Sequence, residues 1–224
     1  MRTVAVIPAY HEASTIGPVI DGTQQYVDEV VVVDDGSTDG TAAVARDHGA
    51  TVIKHVFNTG VGGAVRTGYR YAIRHEFDFI VQVDADGQHD PEKIPELLDA
   101  AADADMVIGS RYLNESIQDY PLIRRMGIRF FTELVNRLGG VDITDVTSGF
   151  RVYRVSALEE ILHRSDSHWA VEQTLEAARQ QHRITEVSTT MPVRDEGESQ
   201  FSIRTLALYP IRMTDVILRV LVFR

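Results

Sequence analysis

Apolar residues in the first hundred or so positions follow two alternating rhythms. Short runs rich in Val and Ile, each bounded by Gly, Asp, Asn or Pro, predict strands at Thr3–Ile7, Glu29–Val33, Thr51–Val56, Phe79–Val83 and Met106–Ile108. Between them, residues 13–26, 38–48, 62–75 and 91–102 carry apolar positions at helical spacing. Ser37-Thr38-Asp39 and Asp90-Pro91-Glu92 supply caps for two of these helices, with Pro91 suited to a first helical position. Strand–helix alternation of this kind predicts an α/β fold, a parallel sheet with helices on both faces. Such sheets take ligands beyond the carboxyl ends of their strands.

After Gly109 the rhythm changes. Residues 121–138 predict an amphipathic helix with several arginines, Phe150–Tyr153 a strand, 156–163 and 169–181 helices, and Ile184–Val193 a further strand. The stretch 203–223 is apolar but interrupted by Arg204, Arg212 and Arg219. No internal repeat, low-complexity tract or linker divides the chain, so a single domain over residues 1–224 is expected.

A chain of 224 residues with 44% hydrophobic and 25% charged residues is ordinary globular protein, long enough to bury a sizeable core. No run approaches the roughly 20 apolar residues of a membrane span, and the start lacks a signal peptide's apolar core. The absence of cysteine removes disulfide and thiolate chemistry. A net charge of −11 argues against nucleic acid as a general partner. Lys54 and Lys93 are the only lysines, so positive charge is nearly all arginine, whose planar fork suits phosphate.

The candidate chemistry lies at the predicted strand ends. The first strand runs into Pro8-Ala9-Tyr10-His11-Glu12, the second into Asp34-Asp35-Gly36-Ser37, the fourth into Asp84-Ala85-Asp86-Gly87-Gln88. Asp84 and Asp86, two residues apart on extended chain, project to one side. Close carboxylates repel unless a cation or proton sits between them. Magnesium commonly takes one or two carboxylates together with substrate phosphate oxygens. An isolated D-x-D or D-G-S is equally good turn chemistry. Here both close strong strands, which favours a site for a metal-bound diphosphate.

The ordered segments PAYHE, VVVDDGSTD, NTGVGGAVRTG, DADGQHDP, GSRY and DVTSGFRVY resemble the family-2 glycosyltransferases. Within that family they are most similar to dolichol-phosphate mannose and glucose synthases and their archaeal relatives. The resemblance covers essentially the whole chain and implies the GT-A fold, with residues 1–110 binding nucleotide sugar and 111–224 forming the acceptor part. It implies transfer of a hexose, with inversion, from a donor of the GDP-mannose or UDP-glucose type to a dolichyl or polyprenyl phosphate. Such a reaction serves protein glycosylation or cell-surface glycan synthesis, on the cytoplasmic face of a membrane.

Matched position by position, Pro8, Tyr10, Glu12, Val33 and Asp35 correspond to donor-nucleotide contacts. Asp84, Ala85, Asp86 and Gln88 correspond to the diphosphate motif, with Asp84, Asp86 and Gln88 on a divalent cation, Mg2+ or Mn2+. Arg111 and Arg125 correspond to phosphate contacts, and VRDEGESQ resembles an R-x-x-G-x-S-K loop that places Arg194 on phosphate. Gln200 stands where that pattern has lysine, which removes a cation and leaves donor identity open. Asp86, Arg111 and Arg125 are thus expected to carry catalysis. A phosphate acceptor needs no strong base; a hydroxyl acceptor would, and Asp145 is then the candidate.

Arg124, Arg125 and Arg129 share a broad helix face beside Phe130 and Phe131, suited to a lipid phosphate and a membrane surface or to pairing with acids of this chain. Two further readings stand beside transfer to a lipid phosphate: transfer to a hydroxyl, and nucleotide-sugar binding without catalysis. Other signals are weaker. The segment Asn58–Ala64 lacks the third glycine of a dinucleotide fingerprint and predicts a tight turn. No histidine spacing fits zinc; His89 suits a turn, Trp169 a core and Glu172 a solvated helix start.

Overall fold

The computed structural model describes residues 1–113, 120, 122–162, 164–166, 168–191 and 214–222. Strands β1 (Thr3–Ala9), β2 (Glu29–Asp34), β3 (Thr51–Lys54) and β4 (Phe79–Gln82) alternate with helices α1 (Ile16–Thr23), α2 (Thr41–Asp47) and α3 (Val61–Arg74). A single 3-10 turn, Pro91–Lys93, leads into α4 (Ile94–Ala100), and β5 (Met106–Ser110) follows. Then come α5 (Leu122–Gly139), β6 (Arg151–Arg154), α6 (Val155–Leu158), α7 (Trp169–Arg179), β7 (Ile184–Ser188) and a last helix, α8, over 214–222.

The strands form one seven-stranded sheet in the order β3-β2-β1-β4-β6-β5-β7. Only β6 runs against its neighbours, pairing antiparallel with both β4 and β5. Simple alternation would make it parallel. The reason it is not lies in the route: β5 leaves the sheet at its carboxyl edge, and the chain returns through α5 to the same edge. It therefore enters β6 from there.

Buried alternation explains the layers. On β1, Val4 and Val6 face one cluster and Ala5, Ile7 and Ala9 the other, and every residue of the strand is buried. The first cluster is completed by Ala64, Val65 and Tyr69 of α3, Phe131 and Val135 of α5, Trp169, Val171 and Leu175 of α7, and Ile217 and Val220 of α8. The second is completed by Ile16 and Ile20 of α1, Ala45 of α2 and Ile94 and Leu97 of α4. Burial of each large aliphatic side chain contributes about 1.5–3 kcal/mol. Phe131, read from sequence as part of an exposed basic face, belongs to this core. Trp169 is core, as expected.

Several expected elements are shorter than the pattern suggested: the helix expected at 13–26 spans Ile16–Thr23, that at 38–48 spans Thr41–Asp47, and the strand expected at Thr51–Val56 ends at Lys54. The helix at 156–163 closes after Leu158, and the strand at Ile184–Val193 ends at Ser188 within the described residues. Of the two expected caps, the one at Asp90-Pro91 forms, while α2 begins after Gly40 without a side-chain cap of its own. The Asp90 carboxylate accepts the Glu92 N–H at 3.0 Å with Pro91 following it. Asp39 accepts the Thr41 N–H at 3.1 Å, although the residue between them, Gly40, sits at the N-cap with φ 93°. These bonds hold Asp39 below the usual carboxylate range, against the upward pull of desolvation.

Candidate active site

Register alone gathers the polar strand ends. Ala9 pairs with Asp34, Asp34 with Lys54, and Val6 with Gln82, so β1, β2, β3 and β4 end on one edge. Arg151, at the start of β6, pairs with Gln82 and with Ile108 of β5. The segments after Ala9, Asp34, Lys54, Gln82 and Ser110, and the loop 145–149 before β6, therefore share a rim.

The β4 exit carries the paired carboxylates. Val83 still bonds β1, its N–H donating to Val6 O at 3.1 Å, and the chain then turns through Gly87 at φ 76°. Asp84 and Asp86 are half-buried, and Ala85 between them is buried. The Gln88 N–H donates to Asp86 Oδ1 at 3.0 Å. His89 folds back under this turn: the Asp84 N–H donates to its Nδ1 at 3.0 Å, while its Nε2 lies 3.5 Å from Asp84 Oδ2. The ring stacks on Phe150 at 4.8 Å between centroids. Burial lowers its pKa to about 4, with Asp86 opposing and Arg111 assisting. A neutral ring with Nδ1 as acceptor carries its proton on Nε2, turned toward Asp84.

Gly149 closes the other side of Asp84. A Cβ there would lie 3.0 Å from Asp84 Oδ2. Gly149→Ala is expected to displace the Asp84 carboxylate by a few tenths of an ångström and cut turnover several-fold. Its melting temperature should stay close to wild type, because Asp84 is 38% exposed and can yield. Steady-state rates beside a thermal melt check this; unchanged turnover would show that Asp84 tolerates displacement.

Arg111, just past β5, is buried and held by Asp145. Its Nε donates to Asp145 Oδ2 at 2.7 Å and its Nη2 to Asp145 Oδ1 at 2.8 Å and Thr147 Oγ1 at 2.7 Å. Asp145 is itself clamped, its N–H donating to Glu186 at 2.9 Å and its Oδ1 accepting from Thr147. Desolvation raises the Asp145 pKa, yet attraction to Arg111 and these bonds outweigh it and hold the group below its ordinary value. For Arg111, burial lowers and Asp145 raises; the net shift is upward. A fully buried carboxylate committed to a bidentate guanidinium is a poor proton acceptor. Asp145 is therefore not the base that a hydroxyl acceptor would need, but the group that orients Arg111.

Asp35 also differs from expectation. Its carboxylate, nearly fully buried, accepts from Thr59 N at 2.9 Å, Thr59 Oγ1 at 2.7 Å and Gly60 N at 2.8 Å, and pairs with His55 Nδ1 at 2.7 Å. Both oxygens are thus spent on the turn before α3, where Gly60 takes φ 84°. The glycine-rich segment does bind an acid, but one from its own chain. Asp35→Asn is expected to cost about 1–3 kcal/mol through lost charged hydrogen bonds, with nucleotide affinity falling alongside. Denaturant melts and nucleotide titration check this; undiminished stability would mean the bonds are dispensable.

The remaining donor-side residues divide by exposure. Tyr10 is exposed and stacks on His11 at 4.1 Å, and Glu12 is half-buried, its Oε2 accepting from Thr15 at 2.8 Å. Val33 and Pro8 are buried and paired with each other in the ladder, so their side chains support the wall rather than line it. Arg125 is half-buried on α5 and its carbonyl accepts from Tyr112 Oη at 3.2 Å. Arg194, Gln200 and the side chain of Arg124 lie outside the described residues.

Sequence reasoning missed several supports. Arg151 is fully buried; its Nε donates to Ser148 O at 2.7 Å and Nη2 to Val146 O at 2.8 Å, while Nη1 reaches Ala170 O and Thr174 Oγ1 at 3.0 Å. It ties the 145–149 loop to α7. Glu172, expected as a solvated helix start, is buried and accepts the Arg164 and Ser165 N–H groups at 2.9 and 2.7 Å. The only advance signal for Arg151 was its place in the T-S-G-F-R run.

Two half-exposed carboxylates at the rim fit a divalent cation completed by substrate phosphate and water. Among the described residues no group of three or more His, Cys, Asp or Glu could hold one unaided. An ion here would depend on the substrate for most of its ligands.

Comparison with known proteins agrees with this geometry. The glycosyl transferase family 2 model matches residues 4–162. An undecaprenyl-phosphate mannosyltransferase of Micrococcus luteus is 35% identical over 90% of this chain and 88% of its own length. A polyprenol monophosphomannose synthase of Mycolicibacterium smegmatis is 34% identical over 90% and 81%. A dolichol-phosphate mannosyltransferase of Pyrococcus furiosus is 30% identical, and the match spans 62% of that longer protein. Among solved structures, glucosyl-3-phosphoglycerate synthase of Mycobacterium tuberculosis, crystallised with Mn2+, UDP and phosphoglyceric acid, superposes with a TM-score of 0.74 at 20% identity, over 98% of this chain and 78% of that one. That likeness bears on the fold, which is GT-A. A mostly parallel sheet with one reversed strand, a carboxylate-bearing rim and relatives above 30% identity across nine-tenths of the chain have one common explanation: the protein belongs to glycosyl transferase family 2.

Proposed function

We propose that the protein transfers a hexose, with inversion, from a nucleoside-diphosphate sugar of the GDP-mannose or UDP-glucose type to a dolichyl or polyprenyl phosphate at a membrane surface. The strongest support is the rim itself, where the Asp84–Asp86 turn and the Asp145-locked Arg111 flank one edge of the sheet. The relatives named as polyprenol- and dolichol-phosphate mannosyltransferases support the acceptor class and favour mannose. Among the described residues no helix is long and apolar enough to cross a membrane.

In this reading an oxygen of the acceptor phosphate attacks the anomeric carbon. The bond from that carbon to the diphosphate oxygen breaks, and the nucleoside diphosphate leaves with the electron pair. A lipid phosphate is anionic at neutral pH, so no side chain has to remove a proton. A divalent cation, Mg2+ or Mn2+, held by Asp84 and Asp86 and completed by the diphosphate, would offset the charge on the leaving group. Gln88 stands beside it, with Arg194 and Gln200 assigned to the donor phosphates by family position. Asp84 is oriented by His89 and Gly149. Arg111, fixed by Asp145 and Thr147, and Arg125 across Tyr112 on α5 orient the acceptor phosphate. Tyr10, Glu12 and the Asp35-organised turn form the nucleotide end. On this reading the protein works on the cytoplasmic face of a membrane, in protein glycosylation or cell-surface glycan synthesis.

A panel of nucleotide sugars, each offered with and without a polyprenyl phosphate and with and without Mg2+ or Mn2+, tests the proposal. Metal-dependent transfer of one hexose to the lipid phosphate is expected. Transfer only to a hydroxyl, or binding of every donor without turnover, would contradict it.

A further inference from the structure

The outward side of α5 changes character along its length. In its first half Leu122, Met126 and Phe130, four residues apart and so in one line, are 66%, 62% and 64% exposed. Leu113, on the loop leaving the site, is 49% exposed. In the second half the exposed positions are an ion pair, Arg137 Nε with Glu133 Oε1 at 2.7 Å. The inward side is largely apolar, with Ile128, Phe131 and Val135 buried beside Thr132. The bare stripe is therefore not a continuation of the core but a separate feature, confined to the end of the helix nearest Arg111.

Charge follows the same division. Arg125 and Arg129 flank the stripe, and the Arg129 guanidinium lies over the Tyr112 ring at 5.7 Å. No acidic side chain occurs between Leu122 and Thr132, in a chain whose net charge is −11. An apolar line edged by arginines on a helix is how a protein lies in a bilayer interface, with hydrocarbon below and lipid phosphates beside it. The patch is also continuous with the proposed acceptor site, because Tyr112 follows Arg111 and bonds the Arg125 carbonyl.

We propose that the Leu113–Leu122–Met126–Phe130 face inserts into the surface of an anionic bilayer, with Arg129 on lipid phosphates, and so sets Arg111 and Arg125 at the depth of the acceptor's phosphate. This rests on the lipid-phosphate reading above and names the surface that serves it. The helix is the docking element and the acceptor is delivered along the membrane plane, not from solution.

The test uses the Met126→Glu/Phe130→Glu double variant of the full chain, since both side chains are exposed and neither is assigned to the chemistry. Flotation with phosphatidylcholine vesicles containing phosphatidylglycerol should show wild-type binding that weakens with salt and falls at least tenfold in the variant. Transfer to a long polyprenyl phosphate in those vesicles should fall by a similar factor. Transfer to a short, water-soluble prenyl phosphate should stay within about twofold of wild type, by the screening of exposed sites from the chemistry. Equal loss on both acceptors, or undiminished vesicle binding, would overturn the proposal. So would a wild-type dimer that the variant converts to a monomer, which would make the face a protein interface. Should the wild type use neither acceptor yet still bind vesicles through this face, the functional reading fails and the docking surface stands.

Discussion

Asp86→Ala is expected to lower transfer by roughly three orders of magnitude, because the charge stabilisation a bound cation supplies is worth several kcal/mol. The fold should survive. Asp86 is half-buried at a turn, and the contact described for its carboxylate, from the Gln88 N–H, is local. Circular dichroism and a thermal melt should match wild type while product formation is lost. A variant that unfolds would make Asp86 a structural residue. A variant that keeps a tenth of its rate would place the cation elsewhere.

The largest stability effect is expected at Asp145. Asp145→Ala leaves Arg111 buried beside Thr147 without its counter-charge, and removing one partner of a buried pair costs about 3–5 kcal/mol. Asp145→Asn keeps the volume and should cost less, while Arg111 loses its fixed orientation and the acceptor KM rises more than the donor KM. Because the folded pKa of Asp145 lies below its ordinary 3.8, the pair's contribution is fully present above that value and is lost as pH falls through the folded pKa. Stability of the wild type should therefore drop below about pH 4 more steeply than that of Asp145→Asn. A general base would behave otherwise: stability indifferent to the substitution, and a rate that titrates with the carboxylate.

How much of this was legible beforehand depended on the kind of signal. Strands β1, β2 and β4 are near-continuous apolar runs buried on both faces, so their positions and the acidic groups that end them could be read directly. The carboxylates at 84 and 86 announce themselves as a D-x-D at the end of a strong apolar run, although β4 ends at Gln82 and Asp86 already lies in the turn, not on extended strand. The reversed β6 could not be read, since four residues of strand carry no mark of direction; only the return of the chain to the rim sets it. Asp145 and Asp35 stood out in sequence as site candidates, but their partners did not: burial against Arg111 and against the Thr59–Gly60 turn is set by packing. Gly149 matters through a 3.0 Å approach that no spacing reveals. The arginine-bearing helix was visible at 121–138, but not which of its two phenylalanines faces the core.

Arg151 is the clearest case of a role that only packing discloses. A fully buried guanidinium is costly unless its donors are met, and here backbone carbonyls at 146, 148 and 170 meet them. The loop that supplies Asp145 and Gly149 to the rim thereby becomes part of the α7 packing. Rigid support of this kind suits a site that works by positioning anions.

The most direct measurement is Mn2+ binding followed by electron paramagnetic resonance, with and without GDP or UDP, in wild type and in Asp84→Asn and Asp86→Asn. With two carboxylates bridging to a diphosphate, the wild type should bind Mn2+ weakly alone and far more tightly with the nucleotide, and both variants should lose that enhancement. Nucleotide binding that is indifferent to Mn2+, or an enhancement that survives both substitutions, would contradict a cation held at this rim.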